Sequence, residues 1–410
     1  MVDPHVRSVV GIDIAKLAHV YCVIEVASGA VQGRPRSIPA TQNGYQELLA
    51  ALRGCGAPST VLIGMEATGC LWEPLHEALS QVGYTVLVLN PRQTAAWATA
   101  LGLRAKTDHI DAQTLARGLL AGYGRASTLP SETVQALRAL TRARRDLVQT
   151  QTAAKQRVRD ELVVLFPELP GQTPAESDLF AASMLRLLQR YPAAPALAQV
   201  ALATLAAEMA EMSAGRWTED HAQALQVLAQ HSAAGTRALA ARSLVVRTMA
   251  QHLLDLQHRL AELEDAIETV LAEDDQSRTL QQVVGIGPVH AATFRAEVGD
   301  IQRFTHVDQV VAYAGLDPRV HRSGTFVGQT HLSKRGPGAL RHMLYLAVLA
   351  VIRCRPHWRA RYQRLLDRGR AKKEALTMLS RALLKVLYHF LRSGTLSDPS
   401  LLRSAGTATG

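Results

Sequence analysis

The chain has 410 residues, 48% of them hydrophobic and 20% charged, with a formal net charge of +10. That is enough apolar material for two or three domains with cores of their own, and it excludes wholesale disorder. Four scattered cysteines (Cys22, Cys55, Cys70, Cys354) include no CxxC pair. They argue against a disulfide framework or a structural zinc site, and for a reducing, cytoplasmic setting.

The opening "MVDPHVRSVVGIDIA" has no basic stretch followed by an apolar run, so no signal peptide is expected. Residues 8–27 read as two apolar strands in a hairpin, and 30–38 as a third strand. A Thr41-capped helix follows, with Tyr45, Leu48, Leu49 and Leu52 at helical spacing. "TVLIGMEATG" then reads as a strand, "LWEPLHEALSQVG" as a helix, "YTVLVLN" as a strand, and 91–121 as mostly helical. The order β-β-β-α-β-α-β-α predicts a mixed sheet with helices packed on it, the order of the ribonuclease-H-like α/β fold.

Residues 130–165 form a long predicted helix with Arg138, Arg142, Arg144 and Arg145 on its surface. Pro167, Pro170, Pro174, Pro192 and Pro195 cut 166–240 into short helices. Leu253, Leu256, Leu260, Leu263, Ile267 and Val270 then alternate steps of three and four, the seam of a coiled coil or the core stripe of a bundle. This helical middle suits self-association. "MLYLAVLAVI", 343–352, is too short to span a bilayer and reads as a buried core helix. After Leu396 a small, polar, flexible tail is expected. The expected domains are therefore 1–125, 126–277 and 278–395, with the tail at 396–410.

Four carboxylates stand out. Asp13 lies inside the apolar strand "VVGIDIA" and Glu66 closes another, "LIGMEATG". An unpaired charge in such strands is costly to bury. Asp108 and Asp111, in "RAKTDHIDAQTLARG", share one face of a helix start, where capping and the macrodipole alone could account for them. In a ribonuclease-H-like sheet the first and fourth strands are neighbours. Asp13 and Glu66 would then face one another, with the acidic helix leaning over them. Four converging carboxylates call for a hard divalent cation, Mg²⁺ or Mn²⁺, of the kind that serves phosphoryl transfer.

Charge is concentrated at the other end. Residues 278–410 carry 21 Lys and Arg against 7 Asp and Glu, and the run Arg319–Lys373 holds fourteen bases and the single acid Asp367. A one-sided field of this kind attracts polyanions, nucleic acid foremost. "VVGIGPVHAA" places Gly285 and Gly287 before Pro288 at a helix start, either a helix-hairpin-helix contact to phosphate or an ordinary αα turn. "THLSKRGPGALR" places Ser333 before Lys334, Arg335 and Arg341. The serine is either a helix-start residue or a nucleophile whose phosphodiester target the three cations would clamp. Arg322, Arg138 and Arg142 are further candidate nucleic-acid contacts.

"GIDIAK", "GMEATGCLWEPL" and "AKTDHIDAQTLA", in that order, resemble the DEDD transposases of bacterial insertion sequences related to the Piv invertase, the bridge-RNA-guided recombinases. The resemblance covers roughly 1–125 and 278–395, not the insert at 166–240. It implies a RuvC-like N-terminal domain whose acidic tetrad is Asp13, Glu66, Asp108 and Asp111. It also implies a serine nucleophile at Ser333, a transient phosphoserine link to DNA, and donor and target DNA as substrates. A guide (bridge) RNA, homodimers joining into homotetramers, a site composed from both domains, and nucleoid association in the cytoplasm are implied in the same way. Pro337 stands where relatives would have Asn or Asp. Two other readings remain open on the residues alone. One is a metal-dependent, structure-specific DNA endonuclease that hydrolyses with water. The other is an architectural protein that bridges nucleic acids through its basic third and coiled coil.

Overall fold

The computed structural model describes residues 3–67, 69–100, 102, 107–123, 130–319, 322–323, 326–327 and 331–403. The chain forms two compact units, Met1–Leu129 and Pro130–Gly410.

The first unit follows the order β1 (Ser8–Asp13), β2 (Ala18–Glu25), β3 (Arg36–Pro39), α1 (Gln42–Arg53), β4 (Val61–Glu66), α2 (Glu73–Gln81), β5 (Thr85–Leu89), α3 (Pro91–Ala100), α4 (Asp108–Leu120). The strands lie in the order β3-β2-β1-β4-β5, with β1 antiparallel to β2 and parallel to β4. This is the ribonuclease-H-like order expected from the sequence. The third strand is shorter than the expected 30–38. Only Val31 bridges to Ile24 before Arg36, because Gly33 turns the chain at φ +76° and Pro35 has no N–H to give a ladder. Thr41 caps α1 as its sequence suggests, its hydroxyl accepting from the Gly44 N–H at 3.3 Å.

Each face of the sheet has its own core. Val10, Ile12, Ile63 and Met65 pack with Leu48 and Leu52 of α1 and Leu75 and Leu79 of α2. On the opposite face Val9, Cys22, Leu87 and Leu89 meet Ala112, Leu115, Ala116 and Leu119 of α4. The helix reaches that face only because Gly11 and Gly64 carry no side chain. A Cβ on Gly11 would overlap the Ala112 carbonyl and lie 2.9 Å from Leu115 Cβ, and one on Gly64 would lie 2.7 Å from Leu119 Cδ1.

The second unit comprises α5 (Glu132–Leu165), α6 (Ala182–Arg190), α7 (Ala194–Ala198), α8 (Leu202–Met212), α9 (Glu219–Gln230), α10 (Leu239–Ala272), α11 (Asp275–Gln281), α12 (Pro288–Val298), α13 (Val307–Tyr313), β6 (Pro318–Arg319), β7 (Arg322–Ser323), β8 (Phe326–Val327), β9 (His331–Leu332), α14 (Gly338–Cys354), α15 (Pro356–Asp367) and α16 (Lys372–Ser393). Helices α5 and α10, 34 residues each, run antiparallel along one another. Arg144 pairs with Glu264 at 2.6 Å and, at the other end, Arg242 with Glu161 at 2.7 Å. The stripe that read as either a coiled-coil seam or a bundle core is thus largely covered from within the chain. Leu253, Leu256, Leu260 and Ile267 are buried, and Ile267 and Leu271 pack on Leu137 of α5. The proline-cut insert supplies α6 to α9, which close a core with Val158, Leu162, Val246 and Leu253 of the long helices.

Two expected boundaries differ. The division at 277/278 falls inside α11, and α5, α10 and α12 share the cluster of Leu137, Ile267, Leu271, Ala292 and Ala296 across it. The segment 396–403 is not a flexible tail. Leu396 and Leu401 are buried, Val284 N–H donates to the Leu401 carbonyl at 2.8 Å, and Asp398 accepts from Trp358 Nε1 at 3.0 Å. A small polar composition hid two apolar anchors. The core helix α14 buries Met343, Leu344, Ala347, Val348 and Val351, and no described helix is long and apolar enough to cross a membrane.

Two tests follow from this packing. Gly11→Ala should lower stability by about 1–3 kcal/mol in urea unfolding, because backbone on α4 cannot yield as a side chain can. The second concerns Asp274, which is nearly buried with Arg295, their side chains 10% and 9% exposed and 2.9 Å apart. Burial opposes its ionisation, yet hydrogen bonds from Arg295 and Ser277 outweigh that and hold its carboxyl below the usual range. Stability from a lowered carboxyl pKa is complete above the ordinary aspartate value of about 3.9 and is lost as pH falls through the folded value. Arg295→Met should therefore cost about 3–5 kcal/mol at neutral pH by leaving a buried charge unpaired. The deficit should shrink below about pH 4, as followed by thermal melts across pH.

Candidate active site and nucleic-acid contacts

Asp13 and Glu66 end adjacent parallel strands. The register pairs Gly11 with Gly64 and Ile12 with Met65, so the two carboxylates follow side by side. Side chains alternate across a strand, so residues two beyond Gly11 and Gly64 share the face those glycines present to α4. Both carboxylates are half-buried. Asp111 immediately precedes Ala112, the residue that lies over Gly11. Thr107 caps α4, its hydroxyl accepting from the Ile110 N–H at 3.3 Å, which makes Asp108 and Asp111 the acids of the first helical turn. The capping account of these two acids thus holds, and all four expected carboxylates still lie on one face of the sheet. Among the described residues no three His, Cys, Asp or Glu side chains stand close enough to hold a metal ion, so the four do not form a closed cage. Lys106 lies outside the described residues.

The sequence reading missed Thr94. Its hydroxyl lies 2.8 Å from Glu66 Oε2 and 3.0 Å from the Pro91 carbonyl, and its single proton serves one of them at a time. Nothing in "PRQTAAWATA" signals that contact. It exists because α3 follows β5, which pairs directly with the strand that carries Glu66.

In the second unit Ser333 follows β9. The β6–β9 ladder pairs Pro318 with Leu332, and Asp317 and Ser333 are the next pair. Ser333 N–H donates to the Asp317 carbonyl at 3.0 Å, and its hydroxyl donates to Asp317 Oδ1. Asp317 is the second residue that the sequence reading missed. Lys334 adopts φ +49° and donates its N–H to Gly315 at 3.1 Å. A Cβ on Gly336 would overlap the Tyr313 carbonyl, so the segment after Ser333 lies flush on the turn after α13.

The three residues of the expected cationic clamp differ in exposure and bonding. Lys334 and Arg335 are exposed, but Arg341 Nη1 donates to the carbonyls of Ala314 at 3.1 Å and Gly336 at 2.7 Å. Arg341 fixes the loop from behind. Arg138 likewise turns inward, its Nε and Nη2 donating to the Ala296 carbonyl at 3.1 and 3.0 Å, and Arg142 lies 3.8 Å from Glu297. These two arginines tie α5 to α12. The side chain of Arg322 lies outside the described residues.

The two glycines before α12 divide as well. Gly285 has φ +84°, and a Cβ there would lie 2.7 Å from the Ala347 carbonyl, so close packing on α14 explains it. Its carbonyl accepts from His290 Nδ1 at 3.0 Å. Gly287 has nothing within 4 Å of where its Cβ would be, and Pro288 opens the helix after it.

With this geometry in hand, comparison with known proteins is decisive. A DEDD-type IS110 transposase family matches residues 10–167, and the transposase IS116/IS110/IS902 family matches residues 277–363. The chain belongs to the IS110-type transposases. It is a DNA-processing enzyme of the insertion-element transposase and recombinase class. The transposase is similar over 97% of both chains to an uncharacterized 44.8 kDa protein of insertion element IS116 from Streptomyces clavuligerus, at 26% identity. It is 24% identical to the pilin gene-inverting protein of Moraxella bovis, over 94% of this chain and 96% of that one. An uncharacterized 43.6 kDa protein of insertion element IS110 from Streptomyces coelicolor is 29% identical over 71% of this chain and 72% of its own length. The matches to both families flank the insert, whose helices lie between residues 167 and 277.

The seating of the Ser333 loop on the turn after α13 can be tested apart from catalysis. Gly336→Ala should lower the melting temperature, with about 1–3 kcal/mol lost in denaturant titration. An unchanged melt would mean that the loop does not rest on that turn.

Proposed function

We propose that this transposase exchanges DNA strands between a donor and a target site, with Asp13, Glu66, Asp108 and Asp111 as its metal-binding tetrad and Ser333 as its nucleophile. The observation that carries the reading is the pair Asp13 and Glu66, side by side at the ends of neighbouring strands and on the face covered by the acidic helix. DEDD transposases typically use a divalent metal. Four hard carboxylate ligands on one face suit Mg²⁺ or Mn²⁺ in donor chemistry. Such an ion supplies charge neutralisation on a phosphodiester during displacement. The chain's own part is to hold these acids on a fixed sheet, with Thr94 orienting Glu66.

The serine step balances without an outside energy source. The Ser333 Oγ–P bond forms as the P–O bond to one deoxyribose breaks, and the leaving oxygen departs with the proton the serine gives up. The phosphodiester energy is kept in the phosphoserine, so the reverse step rejoins strands. Asp317, already accepting the Ser333 hydroxyl hydrogen, is placed to take that proton first, the role an aspartate plays toward a hydroxyl in kinases. Lys334 and Arg335 face solvent beside it as phosphate contacts.

The same Ser333–Asp317 hydrogen bond also favours a second reading, in which Ser333 is a latch that closes the β6–β9 ladder. Between Gly315 and Gly336 the other serine is Ser323, at the end of β7. A guide RNA, and dimers that join into tetramers, belong to the proposal through the resemblance of the motifs alone.

The test is a denaturing gel for protein-linked DNA, with labelled donor and target duplexes, Mg²⁺ and the RNA transcribed from the flanking noncoding DNA. An adduct abolished by Ser333→Ala and Asp13→Asn but kept by Ser323→Ala is the expected outcome. Loss in Ser323→Ala with retention in Ser333→Ala would make Ser323 the nucleophile and Ser333 the latch. Cut DNA with no adduct would establish water as the nucleophile and a hydrolytic endonuclease. Weakened Mn²⁺ binding by Asp13→Asn in electron paramagnetic resonance checks the tetrad independently.

A further inference from the structure

The second unit carries a cationic stripe made of none of the arginines that the sequence singled out. On α15, Arg361, Arg364 and Arg368 follow at steps of three and four, so they line one face of the helix. Together with Leu365 they border a groove of about 280 Å³ whose other wall is Met378 and Leu379 of α16. Arg364 and Arg368 are exposed, while Arg361 is half-buried with its guanidinium 5.1 Å from the centre of the Trp358 ring.

Several neighbouring cations are committed elsewhere. Arg355 donates to the Leu402 carbonyl, and Arg359 to the carbonyls of Ile352 and Arg353. Arg370 pairs with Glu374 at 2.8 Å, and Lys385 with Asp308 at 3.2 Å. Asp367, the acid nearest the groove in sequence, accepts from Gln363 at 2.9 Å. Among the described residues no carboxylate forms an ion pair with Arg361, Arg364 or Arg368. Three like charges gathered along one helix face repel one another, and that repulsion is relieved by a polyanion. Met378, 43% exposed, gives the groove an apolar wall that a free inorganic anion would not use.

We propose that the α15–α16 groove is a DNA backbone site, with Arg361, Arg364 and Arg368 each on a phosphate and Met378 against a deoxyribose. Seven helical residues span about 10 Å. One DNA strand advances about 3.4 Å per phosphate along its axis, so the stripe covers roughly three phosphate-to-phosphate steps. Planar guanidinium groups suit phosphate oxygens in bidentate pairs. The inference rests on the chain's action on DNA but not on which residue is the nucleophile.

The experiment is fluorescence anisotropy of the full chain with a short labelled duplex in EDTA, across a salt series, so that binding is read without cleavage. A parallel arm uses an RNA hairpin of matched length. The triple variant Arg361→Gln, Arg364→Gln, Arg368→Gln is compared with a charge-matched control, Arg157→Gln, Arg247→Gln, Arg259→Gln, in exposed positions of α5 and α10. Each lost phosphate contact lowers the slope of log K against log salt by about 0.9 on duplex DNA. The groove variant should therefore lose about 2–3 from the slope and bind DNA at least about tenfold more weakly at low salt, with the control near wild type. Circular dichroism melts confirm that both variants fold, and single arginine substitutions replace the triple if it does not. An unchanged slope, or an equal fall in the control, would overturn the site. Loss confined to the RNA arm would overturn its assignment to DNA. An unchanged slope with adduct formation intact sinks the groove alone, whereas a lowered slope in a chain that never forms an adduct sinks the serine mechanism alone.

Discussion

The first unit depends on how closely α4 lies on its sheet. Backbone of the helix sits where a side chain on Gly11 would be, the Leu119 side chain sits where one on Gly64 would be, and a closely packed interior leaves little other place for either. That approach sets the sheet face on which Asp13 and Glu66 project, and it brings the first turn of α4, with Asp108 and Asp111, to the same face. A side chain on Gly11 would lift the helix and with it the acids, and one on Gly64 would displace Leu119. The acidic face therefore follows from two missing methyl groups as much as from four carboxylates.

The second unit is organised by two 34-residue helices of about 50 Å each, laid antiparallel. At one end they carry the proline-cut insert, and at the other they join α12 through Leu137, Ile267, Leu271 and Ala292. Charge is sorted by the same packing. Arg138, Arg142 and Arg144 hold helices together, Arg341 holds a loop, and Arg364 and Arg368 of α15 are exposed beside the half-buried Arg361. Part of the chain's arginine is thus spent on internal scaffolding, while the α15 stripe belongs to the cations that meet no carboxylate among the described residues.

How much of this the sequence discloses varies with the range of the interaction. The strand and helix order of the first unit is legible because apolar periods of two and near four are local. Asp13 and Glu66 are legible because a charge at the end of an apolar strand is costly without a purpose. Thr94 and Asp317 are not, since each matters through one contact made 28 and 16 residues away in the chain. The seam on α10 is plain in its leucines, but a seam does not name its partner, and this chain's own α5 covers it. Gly285 shows the converse. Its place before a helix resembles a phosphate turn, whereas the adjoining Ala347 carbonyl gives it a packing reason.

By itself the sequence determined the element order, the apolar faces, the positions of the acids, and a strongly basic last third. It also held the motifs that mark the IS110-type transposases. The tertiary structure alone decided which carboxylates share a face, which arginines remain uncommitted, and that Leu396 and Leu401 anchor a stretch of polar composition. The reason is physical. Period and propensity act over a few residues and are written in order along the chain. The direction of a guanidinium or hydroxyl is set by acceptors that only folding brings near it.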